Sequence, residues 1–307
     1  MSVPAAFIGV VIIWSTTPLA IQWSSDGPGF LFGVLGRTVL GAVLCLSLVA
    51  LLRVRLPWDR AARHTYLAAM LGVYGTLLCV YWGSQFIPSG LVSVLFGLTP
   101  IVTSVIAAIL SNEQEFTPGR SLGMLLGLGG LGVIFGSSVT LGPDAIHGIA
   151  AVLAGVILHS LSTVLVKRID APVSALAVTS GTLILAAPLY AVTWLVFDGA
   201  APAELPVRAA GSIAYLGVVG SAIAFILYYY VLQHVAAGRI ALITLIAPVT
   251  ALWLGHVLND EPFSLNMLSG TALVLGGLAV HYWGDSLLRR QWPARRFGTS
   301  LKEGEGD

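Results

Sequence analysis

Apolar residues fill long stretches of this chain, and short polar or Pro/Gly-rich breaks part them. Ten such runs are readable, at residues 4–23, 30–52, 66–86, 90–110, 120–138, 145–166, 173–197, 208–232, 238–258 and 266–284. Each is close to the roughly 20 apolar residues a helix needs to cross a bilayer core. The pattern predicts an all-α integral membrane protein with ten transmembrane helices. Only Ile87-Pro88-Ser89 separates the third and fourth runs, so one re-entrant segment there is the alternative to two full spans. The first run opens at Pro4 without a basic stretch before it, and is expected to stay as a helix rather than be cleaved.

The pattern also repeats. Residues 90–113 read GLVSVLFGLTPIVTSVIAAILSNE and residues 238–261 read GRIALITLIAPVTALWLGHVLNDE. An offset of 148 residues carries Gly90 onto Gly238, Pro100 onto Pro248 and Glu113 onto Glu261. The chain therefore divides into two five-helix repeats, 1–138 and 145–285, with 286–307 as a polar tail. Basic residues set the orientation. With the N-terminus in the cytoplasm, thirteen Lys and Arg fall on the inner side (among them Arg53, Arg60, Lys167, Arg168, Arg239, Arg295, Arg296 and Lys302), and only Arg208 on the outer side. Both termini and the tail are expected to be cytoplasmic. Five spans per half then force the second repeat to lie inverted relative to the first, which puts a substrate site at the repeat interface near the midplane.

Composition agrees with a lipid solvent. Hydrophobic residues make up 57% of the chain and charged residues 9%, with mean hydropathy +0.91. A soluble domain carries about 25% charged residues, so this surface faces mostly hydrocarbon. The net charge of +1 predicts no nucleic-acid partner. Cys45 and Cys79 lie inside apolar runs and give neither a disulfide framework nor a metal spacing. No cofactor and no metal are expected. The expected partners are the bilayer and a small-molecule substrate, with a monomer favoured.

These features resemble the drug/metabolite transporter superfamily, in its ten-helix EamA-type branch. The residues that carry the resemblance are LFGLTPIVTSVIA and LITLIAPVTALWL, each followed by an acid (Glu113, Glu261) and a glycine-rich helix, together with Arg37 near the start of the second helix. Within the branch, the aromatic content is similar to aromatic amino acid exporters of the YddG type. The resemblance implies a carrier, and export as its direction.

Candidate site residues follow from depth and from the repeat. Offset 145 sets Trp14 opposite His159, Ser15 opposite Ser160 and Thr17 opposite Ser162. Trp14 lies about 15 Å along its helix, near the middle of a core about 30 Å thick. Trp14 and His159 are expected to line a cavity; the hydroxyls of Ser15, Thr17 and Ser160 either line it or bond neighbouring helices. Tyr81-Trp82-x-x-Gln85 matches Tyr229-Tyr230-x-x-Gln233, readable as an interfacial belt or as an aromatic gate at each mouth. Tyr74, Trp253 and His256 complete the candidate binding set. Pro100 and Pro248 leave the carbonyls of Phe96 and Thr244 without a helical donor, and both prolines are read as hinges. Arg37 is the one permanent charge inside a span; it is read as a structural charge, with a carboxylate partner as the other reading. Gly123 with Gly127, and Gly132 with Gly136, have the four-residue spacing of close helix contact, by default within the monomer.

What is missing narrows the chemistry. No Asp or Glu lies deep in a span, so carboxylate-based proton coupling is unsupported. Export of lipophilic cations would want a glutamate where the first helix has Trp14-Ser15-Thr16-Thr17, and nucleotide-sugar carriage would want several buried cations. A neutral or zwitterionic, partly apolar solute remains, with aromatic or large neutral amino acids foremost. The expected mechanism is alternating access through a central cavity without carboxylate coupling. The alternative is a proton-coupled antiporter using His159, His256 or His281. A channel would want rings of repeated polar residues. An intramembrane enzyme would want a nucleophile and base on one face, which adjacent His159 and Ser160 do not provide.

Overall fold

The computed structural model describes residues 2–111, 117–234, 237–261 and 264–291. Among them the chain forms ten successive helical rods and no strand. The rods are α1 (Val3–Ser25), α2 (Phe30–Leu51), α3 (Arg60–Gly83), α4 (Ser89–Phe96 and Thr99–Ser111) and α5 (Pro118–Leu141), then α6 (Ala145–Ile169), α7 (Ala175–Phe197), α8 (Val207–His234), α9 (Ala237–Asn259) and α10 (Leu265–Gln291). Glu113 and the tail from residue 292 lie outside the described residues.

Seven of the rods, α1 to α4 and α6 to α8, are long and apolar enough to cross a bilayer; α5 and α10 carry the shorter apolar stretches Ser121–Ile134 and Leu265–His281. Their outward faces are apolar too. Ile8, Ile12, Val43, Val192, Leu195 and Val196 all stand exposed, a surface that water would not tolerate at this density. The protein is an all-helical, multi-pass membrane protein. α3 begins at Arg60, ahead of the apolar run that starts at residue 66. Asp59 supplies the reason: its carboxylate accepts the Ala62 N–H at 3.0 Å and caps a charged, exposed first turn.

Helix contacts come in matched sets. α4 packs on α9, α5 on α10 and α2 on α7. α3 packs on α6 as α8 does on α1, α4 on α6 as α9 does on α1, and α3 on α7 as α8 does on α2. Every one of these pairs has a counterpart five helices away. α4 and α9 run antiparallel, since Gly90 lies against Leu252 and Gly97 against Pro248. α5 and α10 do the same along a glycine seam. A Cβ on Gly123 would collide with the Gly277 carbonyl and His281, and one on Gly130 with the Gly270 carbonyl, whereas Gly132 faces open space. The close contact therefore runs through Gly123, Gly127 and Gly130, rather than through the four-residue spacing that includes Gly132.

Two local departures from α-geometry recur at matched places. α3 winds as a π-helix over Leu71–Gly75, and α8 does so over Leu216–Ile223. A π-turn loosens the regular hydrogen-bond ladder and opens carbonyls to side-chain donors. The Tyr190 hydroxyl on α7 donates to Val73 O (3.0 Å) and Tyr74 O (2.7 Å). Arg37 on α2 donates from Nη2 to Gly220 O (3.0 Å). The proline helices differ: α4 is interrupted at Gly97-Leu98, just before Pro100, while α9 runs on through Pro248.

Candidate functional site

A cavity of about 110 Å³ lies between the two halves. A single water occupies about 10–15 Å³ of such space, so several fit. α1 contributes Trp14, Thr17, Pro18 and Ile21, and α2 contributes Arg37. α3 adds Gly72, Thr76, Leu77 and Val80; the α4 region adds Val92, Ser93, Phe96, Gly97 and Thr99. His159, Gly220, Phe225, Ala247 and Pro248 close the wall from α6, α8 and α9. Among the described residues no carboxylate lines it, and Arg37 is its one permanent charge.

An aromatic cluster forms one side. The Trp14 ring meets His159 edge-on with centroids 6.0 Å apart, and Tyr228 at 5.2 Å. His159 also meets Tyr228 at 5.6 Å and Phe96 at 6.1 Å. Hydroxyls hold this cluster from behind. Thr163 donates to the His159 carbonyl (2.8 Å) and lies 2.9 Å from the Tyr228 hydroxyl. Faces of this kind suit apolar or aromatic solutes, while a few convergent polar groups orient them.

The candidate residues separate into groups. Trp14, Thr17, His159, Pro248 and Arg37 face the cavity. Ser15 and Ser160 turn to neighbouring helices: Ser15 donates to Val11 O (2.7 Å) and accepts from Thr250 (2.7 Å), and Ser160 donates to Thr99 O (3.3 Å). Tyr81 is fully buried, with the Arg37 guanidinium 6.0 Å from its ring centre and Ser24 donating to its hydroxyl. Tyr229 is buried against Tyr228 and Phe225. Tyr74 shares a 2.7 Å hydrogen bond with Thr193 and packs on Tyr190.

Toward the ends of the same helices, Trp82 packs on Phe86 at a half-exposed position, and Gln85 donates to Trp82 O. The Tyr230 ring meets His234, and Gln233 donates to Val173 O at 2.9 Å. Trp253 stands 62% exposed on the outer face of α9. His256 contacts the Glu261 carbonyl through Nδ1, and His281 contacts Ser104 through Nε2. Pro100 is buried beside the α4 break and does not appear in the cavity wall.

Sequence reasoning missed Tyr228, Phe96, Ser93 and Gly220. Offset 148 sets Tyr228 opposite Val80, so the repeat flagged nothing there. Phe96 carries a signal, since it stands four residues before Pro100, but that spacing speaks for its carbonyl and not for its ring. Gly220 becomes visible only with the π-turn.

A multi-pass helical bundle around an internal cavity, with its wall drawn from both halves of the chain, is the arrangement of a membrane transporter for a small molecule. The chain belongs to the EamA-like transporter family, which it matches twice, over residues 2–136 and 146–283. It is 26% identical to the uncharacterized transporter YoaV of Bacillus subtilis, across 92% of this chain and 97% of that one. A probable terminal-alkyne amino-acid exporter of Streptantibioticus cattleyicolor is 27% identical, over 90% and 92% of the two chains. The aromatic amino acid exporter YddG of Ancylobacter novellus is 25% identical, over 90% and 96%. A solved crystal structure covers 94% of this chain with a TM-score of 0.66 at 24% identity, which places the two in the same fold.

Proposed function

We propose that this transporter exports amino acids with aromatic or large neutral side chains, by alternating access through the cavity between α1–α5 and α6–α10. The observation that carries the reading is the cavity wall itself. It offers Trp14, Phe96, His159 and Phe225 as apolar faces, a few hydroxyls, one guanidinium and, among the described residues, no carboxylate. Two relatives are named as amino-acid exporters, which points the same way.

Residues 1–138 and 145–285 act as two inverted five-helix repeats, with both termini and residues 286–307 cytoplasmic. The antiparallel crossing of α4 on α9 and the matched contact sets support the inversion. The Gly123, Gly127 and Gly130 seam meets α10 of the same chain, which supports a monomer. Pro100 and Pro248 serve as hinges, because each sits where its helix borders or crosses the cavity wall.

The test is counterflow in proteoliposomes with labelled L-phenylalanine outside and unlabelled amino acids inside. Saturable acceleration by aromatic and large neutral amino acids is expected, and Trp14→Ala or His159→Ala should abolish it. Wild-type exchange in both variants removes the aromatic cluster from the binding site. A second reading, proton-coupled exchange through His159, rests on that side chain facing the cavity. Running the same assay with and without a pH gradient separates the two: acceleration indifferent to the gradient supports uncoupled exchange.

A further inference from the structure

Arg37 is buried to 1% exposure, and α8 holds two arms of its guanidinium. Nε donates to Ser221 Oγ and Nη2 to Gly220 O, each at 3.0 Å. The third arm, Nη1, is buried without any partner, although Arg37 forms part of the cavity wall. A guanidinium cannot shed its proton inside a protein, and an isolated buried charge is strongly unfavourable unless something pairs with it. Among the described residues, no side chain of opposite charge is paired with it. No acid lines the cavity among the described residues, and the His147–Asp144 contact at 3.7 Å lies between exposed side chains at the start of α6.

The rest of the setting fixes the arm rather than neutralising it. The π-turn of α8 presents the Gly220 carbonyl, the Tyr81 ring lies 6.0 Å from the guanidinium carbon, and both α8 bonds restrain the plane. A second polar group is also unused. Thr99 Oγ1 is buried without a partner on the same cavity wall. Close to the aromatic cluster, Pro18 stands four residues after Trp14 and has no N–H to give to its carbonyl, and both residues line the cavity.

We infer that Arg37 Nη1 is the docking point for a solute carboxylate, so that this transporter takes carboxylate-bearing solutes and rejects the corresponding amines. An α-amino acid uses all the open groups. Its carboxylate accepts from Nη1, its ammonium donates to the Thr99 hydroxyl or the Trp14 carbonyl, and its side chain lies on the aromatic cluster. The inference rests on the amino-acid reading above and names the group that selects within it.

The test measures binding to the purified full chain in detergent by titration calorimetry, with three probes that share one ring: L-phenylalanine, 3-phenylpropionate and 2-phenylethylamine. The wild type is expected to bind both carboxylates, and the amine at least about tenfold more weakly, the range of one charge-assisted hydrogen bond being about ten- to a hundredfold. Arg37→Gln should abolish that preference without weakening the amine. Arg37→Lys keeps the charge but not the planar fork, and should retain a reduced preference; it also serves as the reporter if the glutamine variant does not fold. Equal affinity of the wild type for amine and carboxylates overturns the assignment while leaving amino-acid transport standing. So does a full preference surviving in either folded variant. Binding of none of the three probes overturns both this assignment and the aromatic amino-acid reading.

Discussion

Removing the Glu261 carboxylate should loosen one end of the bundle by a calculable amount. Glu261 follows α9 and is only 7% exposed. Its Oε2 accepts the Gly90 N–H at the start of α4 (3.2 Å), and its Oε1 accepts from Asn259 Nδ2 (3.2 Å). Asn259 also donates to Gln22 Oε1 (3.2 Å) and accepts from Trp23 Nε1 (3.0 Å). Gln22 in turn donates to Ser84 O (3.2 Å) and Ile87 O (2.8 Å). One carboxylate thus ties the ends of α1, α3 and α9 to the first turn of α4, where the exposed N–H groups of a helix favour a negative charge.

Each of the two bonds made by the carboxylate is worth about 1.5 kcal/mol, the low end for a charged acceptor at such lengths. Water reaching the vacated site recovers part of this, so Glu261→Ala should lower unfolding free energy by about 2–3 kcal/mol. Glu261→Gln keeps one acceptor oxygen and should cost about half as much. The assay is chemical unfolding in one fixed detergent, with amide hydrogen exchange read over the first turn of α4. An alanine variant within about 0.5 kcal/mol of wild type, with Gly90 exchanging no faster, refutes the latch.

The other predictions concern packing and movement. Gly123→Val forces a side chain into the Gly277 carbonyl and should destabilise by about 1–3 kcal/mol, while Gly132→Ala, which meets nothing within 4 Å, should be neutral or gain up to about 1 kcal/mol; unfolding of both variants in the same detergent checks the pair, and equal effects reject the seam. Pro248→Ala returns an N–H donor to the Thr244 carbonyl and stiffens α9. Exchange should slow about tenfold with half-saturation changed less than twofold, and weaker binding at unchanged turnover would count against a hinge.

Much of the helical layout is legible in the chain because lipid demands long apolar runs, and the breaks between them are few. The charged first turn of α3 escapes that reading, since Asp59 stabilises it by capping and not by hydrophobicity. The glycine seam escapes it for a geometric reason. At about 100° per residue, Gly130 returns to within roughly 20° of Gly123, whereas Gly132 stands roughly 180° away. The same arithmetic bears on Trp253, five residues and about 140° from the cavity-facing Pro248, which turns its ring outward. Trp14 and His159 are readable as a pair because both are large, polar-edged and at matching mid-depth. Arg37 is readable as a buried charge, but nothing in the one-dimensional pattern distinguishes a satisfied guanidinium from one with an open arm. That distinction depends on which carbonyls α8 presents, and therefore on the π-turn.

The two halves share backbone devices and differ in the chemistry hung on them. Each places a π-turn in its third helix, and each has that turn bonded by a side chain from the second helix of the opposite half. In one case the donor is Tyr190, whose hydroxyl is used up on the Val73 and Tyr74 carbonyls. In the other it is Arg37, which bonds Gly220 and Ser221 and still has an arm to spare. Trp14 and His159 stand in the same relation, matched in place and unlike in kind. A frame with matched devices in both halves is what the proposed alternating access would draw on. Unlike side chains on that frame give the cavity a cationic pole at Arg37 and an aromatic wall around Trp14 and His159. On the proposed reading, a solute with a carboxylate and an apolar side chain would take one preferred orientation in the cavity.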